Sequence, residues 1–326
     1  MAKEQKIKTL SYEYDMKADV KIKFEEKYKE LLGDEYDDFI KYSLTFPLKS
    51  IRINTLKKSE DYLLKRLKKT FSLKKIPWTK YGYWISHEER RDIGNTIEHS
   101  LGYIYIQEAA SMLPVNVLGK DLKKDGLVLD MCAAPGSKTT QLAQHMDNHG
   151  LIIANELLGK RIAALGINIQ MNGNHNTIIT QHDATKLTKR LSIKFDNILL
   201  DAPCSGTGTF RKSPSTFKTW NPRLGIAMAK TQRKLIATAF ELLKQGGVMT
   251  YSTCSIEPEE NESIVDWLLN KYDNAKVMDI DLKIKSAKPI LEYNGKQFHP
   301  DIKKTLRIYP HHNNTDGFYV AKIKKL

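Results

Sequence analysis

The chain has 326 residues, enough for one large domain and a smaller additional module. Its mean hydropathy is −0.46, and no apolar run reaches about 18 residues, so the composition argues against a membrane span. Residues 1–10 lack the apolar core and small-residue cleavage site of a secretory signal, and we therefore expect a cytoplasmic protein. The formal net charge of +14 indicates a polyanionic partner or, alternatively, a lysine-rich surface that maintains solubility.

The amino-terminal third, residues 1–122, predicts a small α+β module that ends in a linking helix. Its predicted elements are a helix over residues 21–42, a strand over 49–54, a helix capped by Ser59 and ending at Leu67, an aromatic strand over 76–85 and the linking helix over 107–119. The linking helix leads into a region with a different pattern.

From residue 123 to residue 326, short apolar strands alternate with helices. This alternation predicts an α/β domain with a parallel sheet and helices on both faces. The predicted strands cover residues 127–130, 151–154, 177–180, 198–200, 247–251 and 317–323, and the predicted helices cover 138–145, 159–171, 227–243 and 259–269.

The loop after the first of these strands is placed to bind a ligand, because ligands of doubly wound sheets lie at the carboxyl ends of the strands. Residues 130–138 (DMCAAPGSK) connect that strand to a helix N-terminus. Only Gly136 remains of a glycine-rich loop, so the pyrophosphate-binding fingerprint is absent. Glu156 lies 20 residues after Gly136, where a carboxylate can accept hydrogen bonds from ribose hydroxyls, and Asp183 and Asp201 follow later strands. These acids indicate an adenosine-type ligand, although acids at strand ends are also common without one.

The three cysteines provide no disulfide framework and fit no zinc-site spacing, so no metal is expected. Each lies beside small, turn-forming residues directly after an apolar run: Cys132 in MCAAPG, Cys204 in DAPCSG and Cys254 in STCS. Cys204 follows the fourth predicted strand and Cys254 the fifth. If these strands are neighbours, the two thiols meet at one edge of the sheet; the alternative is two ordinary buried thiols.

Such a pair of thiols suits methylation of cytosine at carbon 5, which is a poor nucleophile. Addition of a thiolate to carbon 6 makes carbon 5 enamine-like and able to take a methyl group from a sulfonium donor. A second thiol can assist the later loss of the proton on carbon 5 and the expulsion of the first thiol. Because the attacking group must be a thiolate, a nearby cation such as Lys138 is expected to favour it.

Three motifs make a family resemblance specific: residues 130–139 (DMCAAPGSKT), 201–208 (DAPCSGTG) and 251–255 (YSTCS). Further matches are 52–56 (RINTL), 107–111 (QEAAS), 258–262 (PEENE), 307–311 (RIYPH) and 315–318 (TDGF). In order and spacing, from about Ile51 to Lys322, the chain resembles the Sun-domain (Fmu) family of S-adenosylmethionine-dependent RNA cytosine-5 methyltransferases, in its short archaeal-type form.

The resemblance implies a Rossmann-like class I methyltransferase sheet and a role for each matching residue. Cys254 matches the nucleophile, Cys204 the cysteine of proton removal and product release, Asp201 the residue that holds the cytosine edge, and Lys138 its support. Glu156 departs from the many members that carry aspartate there. The implied S-adenosyl-L-methionine site consists of Cys132, Ala133, Ala134, Pro135, Gly136, Ser137, Lys138, Glu156, Arg161, Asp183 and Asp201.

The implied partner is RNA, with the target cytosine single-stranded or flipped out of its stack. The basic residues of segment 63–75 are predicted either to follow phosphates or to form a solvated helix face, and Arg211 and Lys212 are predicted to hold a target phosphate. Asp316 and Gly317 match a closing segment with a structural role and base contacts. No large RNA-binding domain is recognisable beyond the amino-terminal module, which favours a compact substrate such as tRNA over rRNA, or else help from a partner protein, and we expect a monomer.

Two other functions remain open at this point. In a DNA cytosine-5 methyltransferase the Pro-Cys thiol of Cys204 would attack, but Cys254 would then be superfluous, and no long target-recognition insertion follows. An RNA-binding maturation factor with incidental catalysis would not require the complete set of reactive residues that the sequence contains. Substitution of Cys254 separates these alternatives.

Overall fold

The structure, a computed structural model, describes residues 21–89, 92–213 and 215–326, so the predicted absence of a secretory signal lies outside the described residues. The first elements are α1 (Ile22–Leu32), α2 (Tyr36–Ser43), β1 (Ser50–Ile53), α3 (Glu60–Leu67), β2 (Ser72–Lys75), β3 (Gly82–Ser86), α4 (Ile97–Ser100), β4 (Ile104–Ile106) and α5 (Leu113–Leu118). They are followed by β5 (Leu127–Asp130), α6 (Ser137–His145), β6 (Leu151–Asn155), α7 (Gly159–Asn172), β7 (Thr177–Thr180), β8 (Phe195–Asp201), α8 (Ser215–Thr219), α9 (Pro222–Leu242) and β9 (Leu243–Thr253). The last are α10 (Glu262–Lys271), β10 (Ala275–Met278), β11 (Glu292–Tyr293), β12 (Lys296–Gln297), β13 (Leu306–Ile308), α11 (Pro310–Asn313) and β14 (Phe318–Lys325).

The amino-terminal part contains a small antiparallel sheet, which within the described residues has four strands in the order β2–β3–β1–β4. Ile51 and Ile53 of β1 are buried and pack with apolar residues of α3. Ser59 begins α3 as predicted, because its side chain accepts a hydrogen bond from the backbone N–H of Tyr62. The predicted small α+β module is therefore present.

Three predicted elements of this part differ from the structure. The helix predicted over residues 21–42 is divided into α1 and α2, because Gly33 adopts a left-handed φ of 52° between them. Of the aromatic strand predicted over 76–85, only residues 82–85 lie in a strand, β3, and residues 76–81 form the turn that joins β3 to β2. This turn is stabilised by a hydrogen bond from the Gly82 N–H to Thr79 Oγ1. The linking helix predicted over 107–119 is helical only in α5, after a 3-10 turn at Ala110–Met112.

The large sheet confirms the predicted Rossmann-like fold. Within the described residues it has eight strands in the order β10–β14–β9–β8–β5–β6–β7, with β13 paired to β14. Strands β5 to β9 pair with one another in parallel, whereas β14 is antiparallel to β9, and β10 and β13 are antiparallel to β14. The strand order reverses at β5, which has β6 on one side and β8 on the other. The carboxyl ends of β5 and β8 therefore border the crevice where ligands of such sheets bind.

Helices cover both faces of this sheet because successive strand residues point to opposite sides. In β5, Val128 faces a core that includes residues of α5 and α6, whereas Leu129 faces a core with α9 and α10. Two helices begin elsewhere than predicted. Helix α9 already starts at Pro222, where Asn221 caps it, and α10 starts at Glu262 after a 3-10 turn.

The amino-terminal helices share an aromatic core with later parts of the chain. Phe24 and Phe39 pack with Phe210, Phe217 and Trp220 at ring-centroid distances of 5.3 to 6.5 Å. The predicted division into residues 1–122 and 123–326 stays a prediction. Among the described residues, no helix has the length and apolar character needed to cross a membrane.

Candidate active site

The two thiols predicted to react lie side by side. Strands β8 and β9 are adjacent and parallel, with Asp201 opposite Ser252, so the residues that follow each strand meet at one edge. The Sγ atoms of Cys204 and Cys254 are 3.2 Å apart. The hydrogen bond with Cys254, together with burial, raises the pKa of the Cys204 thiol well above its ordinary value. Two sulfurs this close do not both ionise, so ionisation of one leaves the other protonated.

Lys138 and Asp201 form a second polar pair at the same edge. Lys138 Nζ lies 2.6 Å from Asp201 Oδ2, and the Ser252 hydroxyl donates to Asp201 Oδ1 at 2.7 Å. Lys138 also donates to Ser111 Oγ at 3.1 Å and lies over the ring of Phe318. Because Lys138 is in the first turn of α6 and Asp201 ends β8, the pair bridges the crevice between β5 and β8. The structure thus brings together the four residues predicted to be catalytic.

Backbone contacts join the Cys204 loop to the segment that precedes β14. The Gly208 N–H donates to the carbonyl of Cys254 at 2.9 Å, and the Gly317 N–H donates to the carbonyl of Gly208 at 2.8 Å. A Cβ atom at Gly208 would lie 2.3 Å from the Gly317 oxygen and 2.7 Å from the Cys254 oxygen. Only glycine at position 208 allows this close approach of three segments.

The closing segment contains a buried charge cluster that sequence reasoning did not predict. Asp316 is buried and ion-paired with Lys212, and its backbone N–H donates to Glu108 Oε1 at 3.1 Å. Burial, reinforced by the charge of Asp316, raises the pKa of Glu108 to about 7. Burial lowers the pKa of Lys212, but the attraction of Asp316 and Glu108 outweighs it and leaves that pKa raised. The available signal was the QEAAS motif containing Glu108, which the sequence assigned no role.

The prediction for Arg211 is wrong. Its side chain is fully buried and donates to the backbone oxygens of Thr45, Phe46 and Thr315 at 2.8 to 3.0 Å. A guanidinium enclosed by these carbonyls stabilises the packing of three segments and does not face a target phosphate. Lys212 is partly exposed but paired with Asp316, and its predicted contact with phosphate stays a prediction.

The predicted cofactor loop connects β5 to α6. Gly136 has φ 106°, a conformation that favours glycine, and a Cβ atom there would lie 3.0 Å from Leu165. Arg161 donates to the Ala134 oxygen at 2.5 Å, and Asn168 Nδ2 donates to the Pro135 oxygen at 2.8 Å. Arg161, which lies on α7, therefore supports the cofactor loop and also contacts the acid that follows β6.

That acid is Glu156, which is only 3% exposed although it follows β6 at the rim of the crevice. Its Oε1 accepts a hydrogen bond from the Leu158 N–H at 2.9 Å, and its Oε2 lies 3.3 Å from Arg161 without a hydrogen-bond partner. Asp183 caps a 3-10 turn by accepting from Thr185, a contact that lowers the pKa of Asp183. Burial raises the pKa of Cys132 far above its ordinary value, so this third thiol stays protonated.

One group of three potential metal ligands occurs among the described residues: Glu35, His311 and His312. Glu35 Oε2 lies 2.7 Å from His311 Nε2 and 2.8 Å from His312 Nε2. The Tyr309 N–H donates to His312 Nδ1 at 3.3 Å, so a neutral His312 carries its hydrogen on Nε2 and donates it to Glu35. A metal-bound histidine would instead donate from its second ring nitrogen. These contacts therefore describe hydrogen bonds that tie α2 to α11.

The basic segment of the small module is only partly solvated. Leu63 and Leu67 are buried in the core, whereas Lys65, Lys68, Lys69 and Lys74 are exposed. Arg66 and Lys75 form ion pairs with Glu98 and Glu60, respectively. Its predicted contact with RNA stays a prediction.

Comparisons with known proteins cover nearly the whole chain. Residues 117–324 match the family model described as 16S rRNA methyltransferase RsmB/F, and residues 21–109 match the N-terminal domain of 16S rRNA methyltransferase RsmF. The chain is 43% identical over 305 residues to the tRNA (cytosine(49)-C(5))-methyltransferase of Pyrococcus abyssi, an alignment that covers 93% of this chain and 96% of that protein. It is 40% identical over 301 residues to ribosomal RNA small subunit methyltransferase F of Shewanella woodyi, covering 89% of this chain but only 60% of that longer protein.

Solved structures agree with these matches. A methyltransferase homolog protein from Pyrococcus horikoshii aligns with a TM-score of 0.83 at 35% identity, covering 92% of this chain and 94% of that one. NSun6 from Pyrococcus horikoshii, determined with SFG, aligns with a TM-score of 0.78 at 27% identity over 94% and 98% of the two chains. The family model spans well over half of the sequence and includes both thiol-bearing loops. The chain therefore belongs to the RsmB/F family of Sun-domain RNA methyltransferases, as the resemblance of its motifs predicted.

Proposed function

We propose that the protein methylates carbon 5 of cytosine in RNA through a covalent bond between Cys254 and carbon 6 of the base. The observation that carries the proposal is the 3.2 Å separation of the Cys204 and Cys254 sulfurs, with the Lys138–Asp201 pair at the same sheet edge. One sulfur can attack while its neighbour keeps a proton, which matches the chemical need for two thiols with different tasks.

In this proposal each residue moves or holds a defined group. Cys254 Sγ forms a bond to carbon 6, and the electron pair of the 5,6 double bond becomes available at carbon 5. Asp201, with Lys138 beside it, stabilises the protonated ring nitrogen of the base. After methyl transfer Cys204, which no longer neighbours a thiolate and gives its own proton to solvent, accepts the proton on carbon 5; the electron pair of that carbon–hydrogen bond restores the 5,6 double bond, and the carbon–sulfur bond breaks. Cys204 assists this last step, and the freed pair returns to the Cys254 sulfur.

We infer that S-adenosylmethionine supplies the electrophilic methyl group. The site fits this cofactor, because Glu156 Oε2 is buried without a hydrogen-bond partner where a ribose hydroxyl would donate. The residues proposed to hold it are the loop 132–138, Glu156, Arg161, Asp183 and Asp201. Arg161 contributes by supporting the loop. Asp183 contributes Oδ2, since Thr185 occupies Oδ1 and the partner of Oδ2 at 3.2 Å is the exposed Lys186. The NSun6 structure with SFG, an S-adenosylmethionine analogue, supports the assignment.

The proposed substrate is tRNA, with rRNA second. The alignment with the tRNA (cytosine(49)-C(5))-methyltransferase of Pyrococcus abyssi covers 96% of that protein, whereas the chain spans 60% of the rRNA methyltransferase from Shewanella woodyi. The net charge of +14 suits a polyphosphate partner. A monomeric state, a cytoplasmic location and independence of metal stay predictions.

The first test is to incubate purified protein with labelled S-adenosylmethionine and separated pools of tRNA, rRNA and DNA, followed by mass spectrometry of the nucleosides. 5-Methylcytidine in tRNA is the expected product. Label in DNA would instead support a DNA methyltransferase. Absence of product in all pools, despite measured cofactor binding, would overturn the proposal in favour of an RNA-binding maturation factor.

Cysteine variants test the covalent step. Cys254→Ala is expected to abolish methylation while RNA binding is retained, and Cys204→Ala to leave a protein–RNA adduct that survives on a denaturing gel. Cys204→Ala/Cys254→Ala is the matched control: it also lacks the proposed nucleophile and should form no adduct. Methylation that survives Cys254→Ala but not Cys204→Ala would reverse the assigned roles.

A further inference from the structure

Glu260 is a fully buried carboxylate that connects the two thiol-bearing loops. Its Oε1 accepts hydrogen bonds from the hydroxyls of Ser205 and Ser255, the latter at 2.7 Å. These serines directly follow Cys204 and Cys254 in the chain. One carboxylate oxygen therefore contacts the residue next to each thiol.

The second oxygen fixes the backbone around Cys204. Glu260 Oε2 accepts from the Ser205 N–H at 2.9 Å and from Gln232 Nε2 at 2.8 Å. The same Gln232 amide donates to the Pro203 oxygen at 2.9 Å, so the residues before and after Cys204 are held by one network. Four donors converge on Glu260, and a carboxylate suits them because its two oxygens only accept.

We propose that Glu260 is a positioning residue that keeps the Cys204 and Cys254 sulfurs within reach of each other. It contacts neither sulfur and acts through Ser205 and Ser255. The inference rests on the proposed two-thiol chemistry, because only that chemistry requires the two loops to keep a fixed separation. After the hydrogen bond with Cys254 and burial, the charge of Glu260 also raises the pKa of the Cys204 thiol.

The reaction step that depends on this position is release of the product. When Cys254 is bonded to carbon 6, Cys204 must remain close enough to assist departure of the carbon 5 proton and cleavage of the carbon–sulfur bond. Loss of the Glu260 contacts frees the Ser205 loop, and the Cys204 sulfur moves away. Attack by Cys254 then continues while release slows, so the covalent adduct accumulates.

The neighbouring acid Glu257 provides a matched control. It is equally buried, but its carboxylate accepts from the Tyr28 hydroxyl at 2.7 Å and from Trp220 Nε1 at 2.9 Å, and it pairs with Lys27. Glu257→Ala therefore removes a buried carboxylate from the same turn while leaving the contacts of Glu260 to the thiol loops in place. It is expected to lower stability without changing the thiol separation.

The first measurement reads the thiol separation without any methylation. Wild-type protein, Glu260→Ala and Glu257→Ala are treated with the thiol oxidant diamide, and free thiols are counted over time. Two of the three thiols should disappear together in the wild type and in Glu257→Ala. In Glu260→Ala this loss should slow by about 10- to 100-fold, the scale on which displacements of about 1 Å affect reactions between held groups. An unchanged rate, or an equal slowing in Glu257→Ala, would overturn the inference.

The second measurement follows single-turnover reactions with tRNA. Adduct should persist in Glu260→Ala and be released normally in Glu257→Ala. Glu260→Gln should restore release, because its amide oxygen can accept from Ser205 N–H and Gln232 while its NH₂ group donates to the two serine hydroxyls. This conservative variant also serves if Glu260→Ala does not fold, and a persistent adduct in it at wild-type stability would contradict the positioning role. If no RNA is methylated at all, the diamide result still decides the placement of the thiols, so the two proposals fail separately.

Discussion

The buried ion pair between Arg307 and Glu262 allows a quantitative prediction of stability. Arg307 Nε lies 2.7 Å from Glu262 Oε1, a second guanidinium nitrogen contacts Oε2, and the two side chains are 1% and 0% exposed. The remaining Arg307 nitrogen donates to the Ile256 oxygen at 2.7 Å, two residues after Cys254. The pair thus joins β13, α10 and the loop that carries the proposed nucleophile. We consider the substitution Glu262→Gln.

The expected loss is large because the substitution leaves the Arg307 cation buried without its counter-charge. Removing one partner of a buried pair costs about 3–5 kcal/mol. In Glu262→Gln the new amide NH₂ also faces guanidinium donors, so we expect the free energy of unfolding to fall by about 3–5 kcal/mol. For a chain of 326 residues this corresponds to a fall in Tm of roughly 4–7 °C. In Glu262→Leu/Arg307→Met no charge is left buried. The Ile256 oxygen loses its donor, which costs about 1–3 kcal/mol, and two longer contacts of 3.4 Å, to the Tyr309 hydroxyl and the Ile290 N–H, are lost as well.

The assay is urea unfolding followed by the fluorescence of the four tryptophans, with the m-values compared to verify a common transition. Glu30→Gln, an exposed carboxylate on α1, is the control and should stay within about 0.5 kcal/mol of the wild type. A loss below about 1 kcal/mol in Glu262→Gln would refute the reasoning, because such a value is typical of an exposed pair. A double variant less stable than the single one would refute it as well.

Three further predictions concern other buried groups. Burial raises the pKa of Asp130 to about 7, so unfolding releases its proton between about pH 4 and 7 and stability falls as the pH rises through that range. The free energy of unfolding of Asp130→Asn, measured relative to the wild type by urea titration, should therefore rise by roughly 2–3 kcal/mol between pH 5 and pH 8. The same difference between the two proteins at both pH values would contradict the raised pKa of Asp130. Arg211→Lys should lower the free energy of unfolding by about 1–3 kcal/mol while the salt dependence of RNA binding stays unchanged; a smaller salt slope would restore the phosphate role. Gly208→Ala should reduce methylation about 10- to 100-fold, since its Cβ would meet the Gly317 oxygen, and wild-type activity would show that the two segments separate freely.

Much of the large sheet could be predicted because buried parallel strands are continuous apolar runs bounded by polar or glycine residues. Strands β5, β6, β8 and β9 contain such runs, and β7, although partly exposed, has two adjacent isoleucines; each of the five was predicted. Strands β10 and β13 were missed because their sequences, AKVM and LRI, contain cations and are short. The hairpin of β2 and β3 was missed for another reason: Ile76 and Trp78 are buried in the turn itself, so burial and strand conformation do not coincide there.

The thiol pair could be predicted because a topological rule decides which strand ends meet, and the rule does not depend on side-chain detail. The roles of Glu260 and Glu108 could not be predicted in this way. Each depends on which loops pack over the strand ends and which hydrogen-bond donors those loops present. The error at Arg211 has the same origin, because the sequence around a cation beside a catalytic loop does not show whether its side chain faces solvent or backbone carbonyls.

The position of β14 explains why a motif near the carboxyl terminus belongs to this site. Strand β14 lies between β9 and β10 and runs antiparallel to β9, with Tyr319 opposite Thr253. The beginning of β14 therefore lies beside the end of β9, and the residues just before β14 reach Cys254 and Gly208. A parallel strand in that place would put its beginning at the opposite edge of the sheet, about 26 Å away for the eight residues of β14. The antiparallel insertion thus allows Asp316 and Gly317 to close an edge otherwise built only from parallel strand ends.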